Sequence, residues 1–206
     1  MVIGICGGSG SGKTTLLNRL AECYRQYKPS VFSMDNYYKP IEEQTVDEKG
    51  IVNFDLPTAL DRKKLLDDLC KLIEGNPIEV LEYQFNAGEN KKRLITIEPS
   101  EILIVEGLFL FEYEEVIKKI DYSIFVNVDS KIQLDRRIYR DQDSRGYSRS
   151  EIIYQWDNHV LPCYEQYLEP YLNDADFIYH NDERYEEDFI KLKKELGEVF
   201  KLSEVC

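Results

Sequence analysis

Residues 7 to 14 read Gly-Gly-Ser-Gly-Ser-Gly-Lys-Thr and fit the pattern G-x-x-x-x-G-K-[ST]. Residues of these types at this spacing bind phosphate. Gly7, Gly8, Gly10 and Gly12 allow backbone conformations that turn several N–H groups toward phosphate oxygens. An apolar run, Val2–Cys6, precedes the loop, and a helix-like run, Thr14–Tyr27, follows it. The helix adds its unpaired N-terminal N–H groups and the positive end of its dipole. Lys13 is placed to reach β- and γ-phosphates, and the Thr14 hydroxyl to ligate Mg²⁺. The alternative is a flexible glycine turn ahead of a helix, and the strand-loop-helix context speaks against it. The chain is expected to bind a nucleoside triphosphate.

Two acids could act on that phosphate. Asp35 lies just past the apolar run Val31–Met34, and Glu106 just past Ile102–Val105. Ligands of open α/β sheets gather at the carboxyl ends of strands, so both acids are expected near the glycine loop. Glu106 stands where an acid holds Mg²⁺, directly or through water. Asp35 could accept the proton of an attacking hydroxyl, touch the metal, or both.

Four arginines, Arg136, Arg137, Arg140 and Arg145, form a second cluster in an otherwise acidic chain. Helical spacing puts Arg140 on one side with Arg136 and Arg137. A mobile arginine lid over 136–150 would set cations over the equatorial oxygens of a moving phosphoryl group. The competing reading is a surface helix paired with Asp135, Asp141 and Asp143. In Asn53-Phe54-Asp55-Leu56-Pro57, Asp55 could bind sugar hydroxyls or cap a helix ahead of Ala59.

These residues need a scaffold, and the hydrophobic pattern supplies one. Val2–Cys6, Val31–Met34, Ile102–Val105, Ile124–Val128 and Phe177–Tyr179 read as buried strands. Thr14–Tyr27, Ala59–Glu74, Tyr113–Lys119, Lys131–Asp141 and Arg149–Tyr171 read as helices between them. The alternation predicts an α/β three-layer sandwich: a mostly parallel five-stranded sheet with helices on both faces. Ser130 and Ser148 are expected to cap the last two of these helices. Ile78–Tyr83 and Leu94–Ile97 read as a β-hairpin, a flap over 78–97 or a surface ornament. The acidic run around Asp182–Asp188 reads as a solvated helix start.

The 206 residues suit one domain over 1–206. A net charge of −13 argues against a nucleic-acid backbone as partner. No basic-then-apolar leader and no long apolar run is present, so the expectation is a cytoplasmic protein with no membrane partner. Five scattered cysteines without a C-x-x-C pair read as reduced thiols, Cys6 among them as a small buried residue.

Taken together, the motifs resemble the uridine kinase family, within the wider uridine kinase and phosphoribulokinase group of P-loop enzymes. The resemblance runs from Val2 to about Asp176. It is carried by residues 7–15, Met-Asp-Asn-Tyr-Tyr-Lys at 34–39, Asn-Phe-Asp-Leu-Pro-Thr-Ala-Leu-Asp at 53–61 and Tyr-Gln-Phe at 83–85. Thr-Ile-Glu-Pro at 96–99, Val-Glu-Gly-Leu at 105–108 and Arg-Arg-Ile-Tyr-Arg-Asp at 136–141, with Arg145-Gly146, complete it. The resemblance implies a kinase that moves the γ-phosphoryl of ATP, with Mg²⁺, to the 5′-hydroxyl of uridine or cytidine in pyrimidine salvage. It implies that Gly7, Gly8, Ser9, Gly10, Ser11, Gly12, Lys13, Thr14 and Thr15 bind ATP. Asp35 matches the catalytic aspartate, Glu106 the magnesium-site acid, and Arg140 and Arg145 the lid arginines. Tyr38, Asp55, Tyr83, Phe85, Arg137 and Gln155 match residues of the nucleoside pocket. A homo-oligomer, dimer or tetramer, is implied as well.

Two positions depart from the pattern. Gly88 stands where the family carries a base-reading histidine, and Tyr147 where it carries a further arginine. Asn86, Glu89 or Asn90 could read a base edge instead. His159 reads as a packing or surface residue, and His180 follows the last strand, where adenine sometimes rests. The departures keep open a kinase of the same fold acting on another hydroxyl, such as a sugar phosphate or a vitamin-like alcohol. A non-catalytic ATP-binding sensor is the alternative outside catalysis. Asp35 and the arginines speak against it, and Asn90-Lys91-Lys92-Arg93 lacks the guanine-reading N-K-x-D signature.

Overall fold

The computed structural model describes residues 1–83 and 93–203. The strands are β1 (Val2–Gly7), β2 (Ser30–Ser33), β3 (Ile78–Leu81), β4 (Leu94–Ile97), β5 (Leu103–Glu106), β6 (Tyr122–Asn127) and β7 (Phe177–His180). Among the described residues five of them form one sheet in the order β2-β5-β1-β6-β7, and every pairing in it is parallel. The helices are α1 (Lys13–Cys23), α2 (Arg62–Ile73), α3 (Glu114–Ile117), α4 (Ser130–Arg145), α5 (Arg149–Gln155), α6 (Leu161–Tyr167) and α7 (Tyr185–Phe200). The antiparallel pair β3–β4 stands apart from the sheet.

Strand periodicity sorts side chains into two cores. Ile3 and Ile5 of β1, Ile104 of β5 and Ile124 of β6 join Leu16, Leu20, Leu192 and Leu196 of α1 and α7 on one face. Cys6, Val105 and Phe125 join Leu65, Leu69, Phe109 and Cys163 on the other. Each fully buried Leu or Phe contributes about 1.5–3 kcal/mol of apolar transfer. Burial pushes the Cys6 thiol up to about 11, so it behaves as the expected small apolar residue. Cys6, Cys23, Cys70 and Cys163 are free thiols. No helix among the described residues is long and apolar enough to cross a membrane.

Several expected boundaries move. The second helix begins at Arg62 rather than Ala59, because Pro57–Ala59 forms a 3-10 turn and Asp61 is the N-cap, its side chain accepting from Lys64 N–H. Asp55 therefore caps nothing. α4 starts after Asp129, whose carboxylate accepts from Lys131 N–H, so Ser130 is the first helical residue and not the cap. α4 also runs on to Arg145 and ends at Gly146 with φ 73, the left-handed cap that glycine favours. Ser148 caps α5 as expected, in a full capping box with Glu151. The long helix expected over 149–171 is interrupted. A π-helical turn, Trp156–Val160, separates α5 from α6, and a 3-10 turn follows at Glu169–Tyr171. Asp188 in the acidic run is buried, where it accepts from His180 N–H at 2.9 Å and meets His180 Nδ1 at 2.8 Å.

Candidate active site

The carboxyl ends of β1, β2 and β5 bring the motifs together. The glycine loop leaves β1 and runs into α1 with Gly10 at φ 77 and Gly12 at φ 96. A Cβ on Gly12 would lie 2.0 Å from Asn181 Nδ2, and one on Gly10 2.5 Å from the Gln133 carbonyl. Conformation and close packing both require glycine here. The start of α4 and the exit of β7 brace the loop. Asn181 Nδ2 donates to Ser11 O at 2.6 Å, and Arg136 donates to Ser11 O at 3.3 Å and to Asn181 O at 3.0 Å. Lys13 Nζ donates to Gly7 O at 2.8 Å and Gly8 O at 3.1 Å.

A cavity of ≈ 400 Å³ opens beside the loop. Ser9, Gly10, Gly12, Lys13, Thr14 and Thr15 line one part of it, and Asp35 and Glu106 border it. Tyr38, Asp55, Tyr83, Arg137, Arg140, Arg145 and Gln155 complete the expected set. Gly7 and Gly8 stand behind this wall as carbonyl partners of Lys13, and Ser11 is fully buried. Phe85, Gly88 and their neighbours Asn86, Glu89 and Asn90 lie outside the described residues.

Asp35 sits in a 3-10 turn, Met34–Tyr37, that Ser33 caps. Its carboxylate is solvent-accessible inside the cavity yet crowded by protein. That crowding pushes its carboxyl upward, against the pull of Lys13, Arg145 and Arg140. Glu106 is buried. Desolvation and the charge of Asp35 push it upward too, opposed by Lys13 and by the hydrogen bond from Ser33.

Part of the lining is aromatic. Tyr38 meets Phe54 edge-on with centroids 5.8 Å apart, and Tyr83 at 4.9 Å. Burial, with Asp35 next, pushes the Tyr83 hydroxyl up to about 12 and that of Tyr38 well above its ordinary value, so both stay neutral phenols. Tyr83 N–H donates to Asn36 Oδ1 at 2.9 Å, which ties the hairpin to the turn carrying Asp35. Arg137 is buried and reaches several groups. Its Nη1 donates to Ser9 Oγ at 3.0 Å and lies 4.0 Å from Asp55 Oδ1, and its Nη2 donates to Gln155 Oε1 at 3.1 Å. The arginines do not pair as a surface helix would. Asp141, fully buried, takes Arg137, Arg140 and Arg145.

The sequence reading missed some of these contacts. Ser33 belongs to no motif, yet its hydroxyl donates to Glu106 Oε1 at 2.6 Å. His159 is neither at the surface nor a plain packing residue. It borders the cavity from the π-helical turn, with Nε2 2.9 Å from Asp47 Oδ2. His180 turns to Asp188, and it is Asn181 that reaches the glycine loop and a second hollow shared with Thr15, Arg19 and Tyr185.

The glycine loop, Lys13, the arginines of α4 and two carboxylates share one cavity, an arrangement that suits a phosphoryl group in transit. Fold and site together define a P-loop phosphotransferase. The model of the phosphoribulokinase / uridine kinase family matches residues 2–184. A uridine kinase of Staphylococcus epidermidis is 36% identical over 177 residues, covering 86% of each chain. One of Streptococcus agalactiae is 34% identical over 178 residues, covering 86% of this chain and 85% of the relative. The solved structure of a possible uridine kinase from Bacillus stearothermophilus aligns with a TM-score of 0.62 at 20% identity, over 86% of this chain and 87% of that one. The chain belongs to the phosphoribulokinase / uridine kinase family, whose members are phosphotransferases that use ATP with Mg²⁺.

The donor set fits that metal. Thr14, Asp35 and Glu106, all lining the cavity, offer hard oxygen ligands. Among the described residues no cluster of three or more His, Cys, Asp or Glu forms a protein-only metal cage. Mg²⁺ characteristically takes one or two carboxylates together with substrate phosphates, so a sparse set of this kind suits it.

Proposed function

We propose that this chain phosphorylates a pyrimidine ribonucleoside, moving the γ-phosphoryl of ATP·Mg²⁺ to the 5′-hydroxyl of uridine or cytidine. The observation that carries the reading is one cavity lined by both the glycine loop and an aromatic wall, with Asp35 in it and Asp55 and Arg137 beside that wall. Tyr38, Tyr83 and Phe54 suit a flat base. Asp55, Arg137 and Gln155 suit vicinal ribose hydroxyls, which would favour ribonucleosides over deoxyribonucleosides.

In this reading Asp35 takes the proton of the 5′-hydroxyl as its oxygen bonds to the γ-phosphorus and the bond to the ADP oxygen breaks. Lys13, Arg140 and Arg145 stabilise the charge on the moving group. Gly7 to Thr15 hold the triphosphate through backbone N–H groups and the α1 N-terminus. Thr14, Glu106 and Asp35 would hold Mg²⁺, which when bound spreads the charge of the β- and γ-phosphates. The segment 136–150 acts as the lid that excludes water, and the β3–β4 pair as the flap. A cytoplasmic role in pyrimidine salvage follows from the same assignment.

Tyr147 borders the cavity where the family pattern carries an arginine. It supports a second reading, a kinase of the same fold with another hydroxyl acceptor. The deciding experiment is phosphoryl transfer from ATP·Mg²⁺ to uridine, cytidine and their deoxy forms, with products identified by mass. UMP or CMP formation with poor deoxy substrates is the expected result. ADP formation only with a non-nucleoside alcohol would select the second reading, and binding of ATP without transfer to any acceptor would select a sensor.

A further inference from the structure

We propose that Asp141 is a positioning residue of the transfer reaction. It aims the arginines of α4 into the cavity and ties the acceptor grip to the phosphate loop. The proposal rests on the phosphotransferase reading above and deepens it.

Asp141 is fully buried near the C-terminal end of α4. A carboxylate there is strongly disfavoured unless cations balance it. Arg137 and Arg145 lie one helical turn to either side, on its own face of the helix. Arg137 Nε is 3.3 Å from Asp141 Oδ2, Arg145 Nε is 3.3 Å from Oδ1, and Arg140 Nε is 2.7 Å from Oδ1. All three guanidinium groups are held by Nε. That choice of atom sets direction. The Nη edge is the flat fork that grips phosphate or carboxylate in two bonds, and anchoring Nε turns that edge away from Asp141.

Arg137 shows where such an edge goes. Its Nη atoms reach Ser9 of the glycine loop and Gln155 of the acceptor wall. Arg140 and Arg145, anchored in the same way, border the same cavity. One carboxylate therefore orients a head group that spans both substrate regions and two that border the expected transfer path.

The anchor is under-bonded. Arg137 Nε and Asp141 Oδ2 are both buried without a hydrogen-bond partner, although they are in ionic contact. Charge contact without hydrogen-bond geometry holds the direction of Arg137 yet leaves its head group able to shift when phosphate arrives, while Arg140 is held by a hydrogen bond from Nε to Asp141 Oδ1 at 2.7 Å.

A double-mutant cycle of Asp141→Asn with Arg140→Gln separates positioning from plain structural support. Rates are normalised to active sites counted by AMP-PNP·Mg²⁺ titration. Asp141→Asn alone should lower kcat about 10- to 100-fold with the KM for ATP changed less than about threefold, because misaimed groups lose the transition state first. In the Arg140→Gln background the same substitution should cost at least about threefold less than in the wild type, the remainder coming from Arg137 and Arg145, which Asp141 also anchors. Asp141→Glu, which keeps the charge but displaces it, should also lower kcat and covers the case in which the asparagine variant folds poorly. Unchanged kcat per active site, or equal cost in both backgrounds, overturns the proposal. If the wild type turns over no nucleoside, the substrate reading fails. The cycle is then read on acceptor-independent transfer of the γ-phosphoryl to water, followed as ADP release from ATP·Mg²⁺ per active site, where equal cost in both backgrounds would overturn the role of Asp141 separately.

Discussion

Ser33 and Glu106 are register partners at the carboxyl ends of β2 and β5, and the Ser33 hydroxyl donates to Glu106 Oε1 at 2.6 Å. The same hydroxyl accepts from Asp35 N–H at 3.3 Å. One side chain outside every motif thus links the two acids of the site and orients one oxygen of Glu106. Outer partners of this kind typically change metal affinity about 10- to 100-fold. Ser33→Ala should raise the Mg²⁺ concentration for half-maximal activity about tenfold with little change in melting temperature. A Mg²⁺ titration that superimposes on the wild type would remove Ser33 from this role.

Asp35→Asn tests the proton acceptor. Its kcat should fall about 10²- to 10⁴-fold, the range of general-base catalysis, while AMP-PNP affinity stays within about threefold. Single-turnover kinetics distinguishes loss of chemistry from slow product release. Near-normal turnover would take Asp35 out of the base role.

Glu106 and Asp35 predict a trade of stability for function. Desolvation by surrounding protein raises both carboxyls above their ordinary values, with the charge of Asp35 adding to the effect on Glu106 and that of Asp55 to the effect on Asp35. The folded chain therefore binds these protons more tightly than the unfolded chain. Stability falls as pH rises from the ordinary carboxylate pKa toward and through the raised folded values, so at pH 7 the fold carries the cost of holding these carboxyls in a desolvated site. Glu106→Gln removes one charge and keeps an acceptor for Ser33. In EDTA at pH 7 it should raise Tm by about 2–4 °C while abolishing most activity. The gain should vanish near pH 3, where both states are protonated. An unchanged or lower Tm at pH 7 would contradict the sign.

Asp47 predicts an effect on the acceptor wall. Although burial pushes its carboxyl upward, hydrogen bonds from Ile51 N–H, Tyr154, His159 and Lys49 N–H outweigh that and hold it well below the usual range. Its contribution is therefore complete above the ordinary carboxylate pKa and lost only in strong acid. These bonds fix the turn leading to Val52 and Phe54 against the cavity-facing helix. Asp47→Ala should raise the acceptor KM about tenfold, the scale of one hydrogen bond, with kcat within about threefold. An acceptor KM equal to that of the wild type would show that this turn does not shape the pocket.

Much of the arrangement was legible in one dimension because it repeats local rules. The glycine loop is contiguous, so its spacing alone announces phosphate binding, and Gly10 and Gly12 take the left-handed conformations the pattern requires. Buried parallel strands leave apolar runs, and an acid directly after such a run must emerge at the sheet's carboxyl edge, as Asp35 and Glu106 do. Element ends were less legible. Ser130 and Asp129 are both good caps, and only backbone geometry chose Asp129. The π-helical turn that brings His159 to the cavity has no compositional signature.

The sequence by itself determined the chemistry on offer: a phosphate loop, two strand-end acids, an arginine series at helical spacing and the α/β order that gathers them. Tertiary structure decided who faces whom. Ser33 meets Glu106 because β2 and β5 are neighbours in register although 73 residues separate the pair. Asp47 meets His159 across 112 residues, and Arg137 meets Ser9 across 128. Contacts at such separations depend on strand order and helix packing, which local propensity does not encode. The choice of Asp141 as common anchor likewise needed its complete burial, since on an exposed helix the same spacing would form only solvated ion pairs.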